Sequence, residues 1–133
     1  MKNPIRVIAE IELLSSHFGP VEFDPQEPST VLIEQFDLPP GYNRKYTRVL
    51  LDLGYQYPEY PVRDFYIDPG LRRKKRRPGH YHEDGFDSKT YCNEGFAWYC
   101  LHIQDWQPNP YSIADGDNLL TACQALYEAL KSG

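Results

Sequence analysis

Residues 47–71 read TRVLLDLGYQYPEYPVRDFYIDPGL, and this stretch decides the fold class. Apolar and polar side chains alternate over residues 47–53, which is the period of a half-buried β-strand. Prolines then interrupt the pattern, and a shorter strand is predicted at residues 64–68. Because turns at such close intervals join strands that lie side by side, the stretch predicts part of an antiparallel meander.

Two further strands are predicted before this stretch, at residues 21–24 and 30–38. In the second of them Leu32, Phe36 and Leu38 fall on one face, although the pattern between them is imperfect. A loop of proline and glycine separates this strand from the next one. The four strands together predict a four-stranded antiparallel meander.

Helices are predicted at both ends of the chain. Residues 4–17 place apolar side chains at helical spacing after Asn3, which is a suitable cap. A second helix is predicted near the end, with Asp115 or Asp117 as its cap. Its apolar stripe consists of Leu119, Leu120, Cys123, Leu126, Tyr127 and Leu130. The order of helix, strands, long loop and helix predicts a single α+β domain over residues 1–133.

The composition excludes several classes of protein. The chain has 133 residues, of which 41% are hydrophobic and 25% charged, and this is typical of one globular domain. No apolar run approaches the roughly 18 residues of a membrane span, and residues 1–10 do not resemble a secretory signal. Three irregularly spaced cysteines do not form the framework of a secreted miniprotein. We therefore expect a soluble cytoplasmic protein with reduced thiols.

The charge is distributed unevenly. The net charge is −5, yet six of the 14 Lys and Arg residues lie at residues 72–77, here called the basic block. A mildly acidic body with one basic block argues against general nucleic-acid binding, for which basic residues spread along a face. Residues 72–93 show no periodicity and predict a long exposed loop. The block is then either solvated or a docking point for an acidic partner, protein or nucleic acid.

The sequence EGFAWYCLHIQDWQP at residues 94–108 contains the thiol best suited to chemistry, Cys100. A partly exposed thiol near hydrogen-bond donors or a cation becomes useful, because the thiolate is the nucleophile. His102 is two residues away, and His80 and His82 lie on the predicted loop, from which they can approach Cys100. The alternative is that Cys100 is a small core residue within an aromatic strand.

The other cysteines suggest different roles. Cys123 lies on the apolar stripe of the last helix, which favours packing. Cys92 lies beside Asn93 in a polar segment and is either a bystander or a second reactive thiol. Five residues have side chains that bind zinc, namely His80, His82, Cys92, Cys100 and His102. Their spacing lacks the close pairs of structural zinc sites, so we expect no metal and no cofactor.

Four short motifs are informative as a set. They are Leu38-Pro39-Pro40-Gly41-Tyr42, Tyr57-Pro58-Glu59-Tyr60-Pro61, Phe65-Tyr66-Ile67-Asp68-Pro69-Gly70-Leu71, and Cys100-Leu101 followed by Trp106 and Pro108. With a helix at each end, they resemble the ubiquitin-conjugating (UBC) fold, in particular the compact bacterial members called prokaryotic family E. The resemblance spans nearly the whole chain.

The resemblance implies a transferase. In such proteins an adenylating, activating enzyme passes the carboxyl terminus of a ubiquitin-like modifier to a cysteine, here Cys100, and an amine then attacks the thioester. This chemistry needs little beyond positioning and an oxyanion donor, because a thioester is a reactive acyl donor. A JAB-type isopeptidase in the same pathway is also implied, whereas a membrane partner is not.

The helper residues of conjugating enzymes are not all present. Those enzymes place a His-Pro-Asn triplet before the cysteine, whereas here His-Tyr-His stands at residues 80–82 and Asn93 is only an approximate substitute. His102 occupies the position of an aspartate that is often found two residues after the cysteine. The resemblance thus implies Cys100 as nucleophile, His102 as base or orienting group, and Asn93 or His82 as oxyanion support.

Other functions stay open at this point. A serine can occupy the corresponding position in the bacterial family, so an oxyester-forming relative and an inert scaffold are alternatives to a thioester enzyme. A noncatalytic interaction module of the same fold would use the basic block to dock an acidic protein surface. A nucleic-acid-binding domain would use the same block, and its affinity would fall steeply with salt.

Overall fold

The computed structural model describes residues 3–62, 64–83 and 90–132. The helices are α1 (Pro4–Phe18) and α2 (Leu119–Ser132), and the strands are β1 (Val21–Phe23), β2 (Thr30–Asp37), β3 (Tyr46–Asp52), β4 (Asp64–Ile67), β5 (Tyr81–His82) and β6 (Ala97–Tyr99). Short 3-10 helices cover Thr90–Glu94 and Ile113–Asp115. One six-stranded antiparallel sheet has the order β1-β2-β3-β4-β6-β5. The α+β class and the four-stranded meander are confirmed, and β6 and β5 extend the sheet.

Both helices share one apolar core with the sheet. Asn3 caps α1 as predicted, since its side-chain oxygen accepts the Arg6 N–H at 3.2 Å. The fully buried side chains include Val7, Ile11 and Leu14 of α1 and Leu119, Cys123, Leu126 and Leu130 of α2. Burial of each large apolar side chain contributes roughly 1.5–3 kcal/mol to folding. No helix in the described part of the chain is long and apolar enough to cross a membrane.

A β-bulge explains the imperfect pattern of β2. The register shifts between Ile33 and Phe36, so that β2 holds one residue more than its partner strand. The extra residue brings Phe36 to the core face together with Ile33 and Val31. The prediction that Leu32 shares a face with Phe36 was therefore wrong, because the bulge inverts the alternation between them.

The stretch predicted as one long exposed loop is more ordered than expected. Residues 72–93 include strand β5 and all but the last residue of the 3-10 helix Thr90–Glu94, while residues 84–89 lie outside the described part. Tyr81 is buried, and its hydroxyl donates a hydrogen bond to the Asp68 carbonyl. The prediction failed because a strand of two residues is too short to show the alternation of apolar and polar side chains that marks a strand.

The start of α2 also differs from the prediction. Asn118 caps the helix, because its side-chain oxygen accepts the Thr121 N–H at 3.0 Å. Asp117 instead accepts the Gln107 N–H at 2.8 Å, and Asp115 lies in the preceding 3-10 helix. Asparagine and aspartate are equally good caps, so the sequence did not distinguish them.

The carboxylate of Glu83 fixes the base of the basic block. It lies 2.8 Å from Arg72 Nη2 and 3.3 Å from Arg77 Nε, and it accepts the Gly70 N–H at 2.5 Å. Burial alone would raise the pKa of this carboxyl, but the hydrogen bonds from Gly70 and Arg72 and the charges of the two arginines outweigh it. The pKa of Glu83 therefore lies below its ordinary value.

Glu83→Gln is expected to destabilise the protein at neutral pH and to have no effect in strong acid. A carboxyl whose pKa is lowered by folding stabilises the native state above its unfolded pKa, and this stabilisation is lost as pH falls through the folded-state pKa. Since the arginines are partly exposed, we expect a loss of about 1 kcal/mol. Urea unfolding of both proteins at several pH values measures it, and a difference that persists in acid would contradict the assignment.

Candidate active site

Strand β6 fixes the position of Cys100. The residue directly follows β6, and its N–H donates a hydrogen bond to the His80 carbonyl at 2.9 Å. This bond continues the pairing of β5 with β6 by one residue. Cys100 is half-buried, whereas Cys123 is fully buried in the core.

His102 lies within contact distance of this thiol. The Cys100 Sγ and the His102 Nε2 are 3.5 Å apart, and the His102 side chain is exposed. Either atom can donate, depending on the imidazole tautomer. The pair can therefore pass a proton between sulfur and nitrogen, which is what an acyl transfer at the sulfur requires.

A groove of about 630 Å³ opens beside the pair. One wall is the loop between β3 and β4, which contributes Tyr55 and Tyr60, and the other is the segment after Cys100, which contributes Leu101 and His102. Both tyrosines are exposed, at 74% and 61% of their surface. The groove thus offers apolar and hydrogen-bonding contacts to an extended chain next to the thiol.

Two of the sequence motifs hold the walls of this groove together. The Trp106 indole N–H donates to the Pro58 carbonyl at 2.7 Å, and the rings of Trp106 and Tyr57 lie 6.0 Å apart. Further along the same segment, Gly116 lies so close to the backbone of residues 107–109 that a Cβ atom on it would be 2.5 Å from the Asn109 nitrogen. The Tyr-Pro and Trp-x-Pro motifs therefore fix the segment that carries His102 against the opposite wall.

A buried ion pair on α1 supports the same region and was missed from the sequence. Glu10 is fully buried and accepts hydrogen bonds from Arg6 Nε at 2.9 Å, the Tyr57 hydroxyl at 2.5 Å and the Leu119 N–H at 2.7 Å. Arg6 also donates to the Asn109 carbonyl at 2.5 Å. The only sign in the sequence is an Arg and a Glu four residues apart within an otherwise apolar stripe.

The other predicted helpers, His82 and Asn93, lie on elements that contact β6. The His82 ring stacks on Trp98, with 4.9 Å between centroids and 28° between planes, and His82 pairs with Trp98 in the sheet. Asn93 lies exposed on the 3-10 helix that packs against β6. The structure thus brings together Cys100 and His102, holds His82 against Trp98, and leaves Asn93 at the surface.

The two remaining thiols have contrasting environments. Cys123 is fully buried, as predicted, and burial raises the pKa of its thiol, which keeps it protonated. Cys92 is half-buried on the 3-10 helix. Among the described residues, no group of three His, Cys, Asp or Glu side chains is arranged to hold a metal ion.

Comparison with known families gives one decisive result. The family model described as prokaryotic E2 family E matches residues 12–132. The chain belongs to this family. No curated protein and no solved structure matches this chain. The family match covers both walls of the groove and the Cys100–His102 pair, and the helix, antiparallel sheet and closing helix are compatible with a UBC-like fold.

Membership of this family makes the chain an E2-like protein of the conjugating-enzyme type. The arrangement within it is a thiol that directly follows strand β6, an imidazole in contact with the thiol, and a groove that the imidazole lines. The Tyr-Pro and Trp-x-Pro motifs, which are far apart along the sequence, meet where the rings of Tyr57 and Trp106 pack beside the groove.

Proposed function

We propose that this E2-like protein carries a ubiquitin-like modifier as a thioester on Cys100 and passes it to an amine. The observation that carries the proposal is the 3.5 Å contact between Cys100 Sγ and His102 Nε2 beside an open groove. The groove receives the extended carboxyl-terminal tail of the modifier, and the exposed His102 exchanges protons with solvent.

The first step is a thioester exchange. The Cys100 sulfur attacks the carbonyl carbon that joins the modifier to a cysteine of the activating enzyme. A new carbon–sulfur bond forms at Cys100 while the old one breaks, and the Cys100 proton passes through His102 to the departing thiolate. No oxidant or reductant is needed, because one thioester replaces another.

The second step transfers the modifier. The nitrogen of an acceptor amine attacks the same carbonyl carbon, a carbon–nitrogen bond forms, and the bond to Cys100 breaks with its electrons on sulfur. A proton lost by the amine returns to the thiolate, again through His102. Asn93 and His82, which flank β6, are assigned to support of the negatively charged oxygen in both steps.

The partners of this reaction follow from its chemistry. An adenylating enzyme must supply the activated modifier, and a JAB-type isopeptidase would reverse the product bond. We place the reaction in the cytoplasm, where the three free cysteines stay reduced.

The test is direct. The protein is incubated with ATP, a ubiquitin-like modifier and the activating enzyme that is charged with that modifier, and the products are separated with and without reductant. An adduct that disappears with reductant supports the proposal. Absence of any adduct, when the activating enzyme itself is charged, contradicts it and favours the noncatalytic module.

His102→Ala is expected to slow formation of the adduct by about 100-fold or more, because the imidazole that accepts the thiol proton is lost. Gln104→Ala is the matched control, since Gln104 is exposed and lines the same groove. Equal rates for wild type and His102→Ala at all pH values would show that His102 has no part in proton transfer.

A further inference from the structure

The tip of the basic block has an unfavourable backbone conformation for its residues. Arg73 and Arg76 exchange two backbone hydrogen bonds, of 2.8 and 3.0 Å, around the turn residues Lys74 and Lys75. The φ angles of these two lysines are 52° and 68°. Positive φ at both central residues is the pattern of a type I′ hairpin turn, which strongly favours Asn-Gly. Two lysines here retain charge where other residues would form the turn better.

The hairpin is held firmly on both sides. The Lys74 N–H donates to the Gly41 carbonyl at 3.0 Å, and the Arg72 N–H donates to the Asn43 side chain at 2.9 Å. On the other side Arg72 and Arg77 bind Glu83. The lysines are therefore presented on a fixed support.

The charges at the tip are available for binding. Lys74, Lys75 and Arg76 are exposed, and none of them forms an ion pair with a carboxylate in the described ranges 3–62, 64–83 and 90–132. The buried Nε of Arg73 finds no acceptor among these residues. A cleft of about 470 Å³ lies between the hairpin and the loop at Gly41. Such a cluster on an otherwise acidic protein produces a local positive potential that attracts anionic groups.

This cluster lies at the end of the sheet opposite Cys100. Strand β6 is antiparallel to β4, so Cys100 lies where β4 begins. The hairpin follows the other end of β4 and bonds to the loop between β2 and β3. A partner on the hairpin therefore leaves the approach to the thiol open.

We propose that residues 72–77 are a docking site for an acidic polypeptide segment of a partner protein. Aspartate and glutamate side chains fit the cleft, because arginine and lysine both pair with carboxylates. A nucleic acid fits less well, since the acidic body repels a phosphate backbone. The ring beside the cleft, Tyr42, is tied through its hydroxyl to the Leu130 carbonyl at 2.8 Å and is half-buried, which leaves little surface for stacking a base. This site is separate from the transfer chemistry and does not depend on it.

The experiment uses Lys74→Asn/Lys75→Gly in the full chain, because this change improves the turn while it removes the charge. Binding is measured by fluorescence anisotropy with a labelled oligoglutamate peptide and with a labelled single-stranded oligothymidylate of similar charge. Lys74→Arg/Lys75→Arg is the matched control, which keeps both the charge and the strained turn.

The Asn-Gly variant is expected to bind the peptide more weakly and to be more stable than the wild type. The peptide affinity should fall at least about fivefold in the Asn-Gly variant and stay near wild type in the Arg-Arg variant, with weaker binding at higher salt. The Tm of the Asn-Gly variant should rise by roughly 3–6 °C, because strain is removed from two residues. Unchanged peptide affinity, a lower Tm, or tighter tip-dependent binding of the oligothymidylate would each overturn the proposal.

Discussion

Cys100→Ala is expected to form no adduct with the modifier, whereas Cys100→Ser is expected to form one that survives thiol reductants. Alanine offers no nucleophile at the end of β6. A serine hydroxyl in contact with His102 would yield an oxyester, which hydroxide cleaves and thiols do not, and it would form more slowly because a hydroxyl is a weaker nucleophile than a thiolate. Electrophoresis of the products with reductant and with alkali distinguishes the two bonds.

The other thiols supply the controls for this experiment. Cys92→Ala should form the adduct at the wild-type rate. Cys123→Ala should also form it, but with a loss of stability of about 1 kcal/mol, since Cys123 is fully buried in the core. An adduct of unchanged yield in Cys100→Ala, or one lost only in Cys92→Ala, would place the nucleophile elsewhere.

The sequence predicts best those strands that have one face in the core and the other partly exposed to solvent. In β3 the core face carries Val49 and Leu51 while Arg48 and Asp52 on the other face are only half-buried, so the alternation is visible. In β4 every residue is buried, and the prediction of this strand rests on the prolines before it and on Phe65 and Ile67, which share a face. Strand β5 could not be predicted, because its two residues owe their place to pairing with β6 and to burial of Tyr81.

In the candidate site, contacts between residues close in sequence could be predicted, whereas contacts made by strand pairing could not. Cys100 and His102 are near neighbours in sequence, so their contact could be expected from the chain alone. The position of His82 depends on strand pairing with Trp98, which is remote in sequence. That pairing stacks His82 on the Trp98 ring, a contact that the local sequence does not predict. Asn93 depends likewise on how a short 3-10 helix packs against β6.

The buried Glu10 illustrates what sequence patterns hide most completely. A charged residue on the apolar face of α1 interrupts the amphipathic pattern, and its burial is explained only by its three hydrogen-bond donors. They come from α1 itself, from the Tyr-Pro motif and from the first residue of α2, which are far apart in the chain. Burial and the adjacent carboxylate raise the pKa of Tyr57, so its hydroxyl remains a donor. Glu10 thereby joins the loop that forms one wall of the groove to both helices.

Glu10→Ala is therefore expected to lower the free energy of unfolding by about 3–4 kcal/mol, because it leaves the buried Arg6 without its counter-charge and Tyr57 and Leu119 without an acceptor. Glu10→Gln keeps an acceptor oxygen and should lose less. Glu12→Ala on the exposed face of the same helix is the matched control and should change stability by less than about 0.5 kcal/mol. Urea unfolding followed by tryptophan fluorescence measures all three. Equal losses for Glu10→Ala and Glu12→Ala would mean that the hydrogen bonds of Glu10 contribute nothing to stability. A large loss for Glu10→Ala alone would show that this carboxylate holds α1, α2 and the loop between β3 and β4 together.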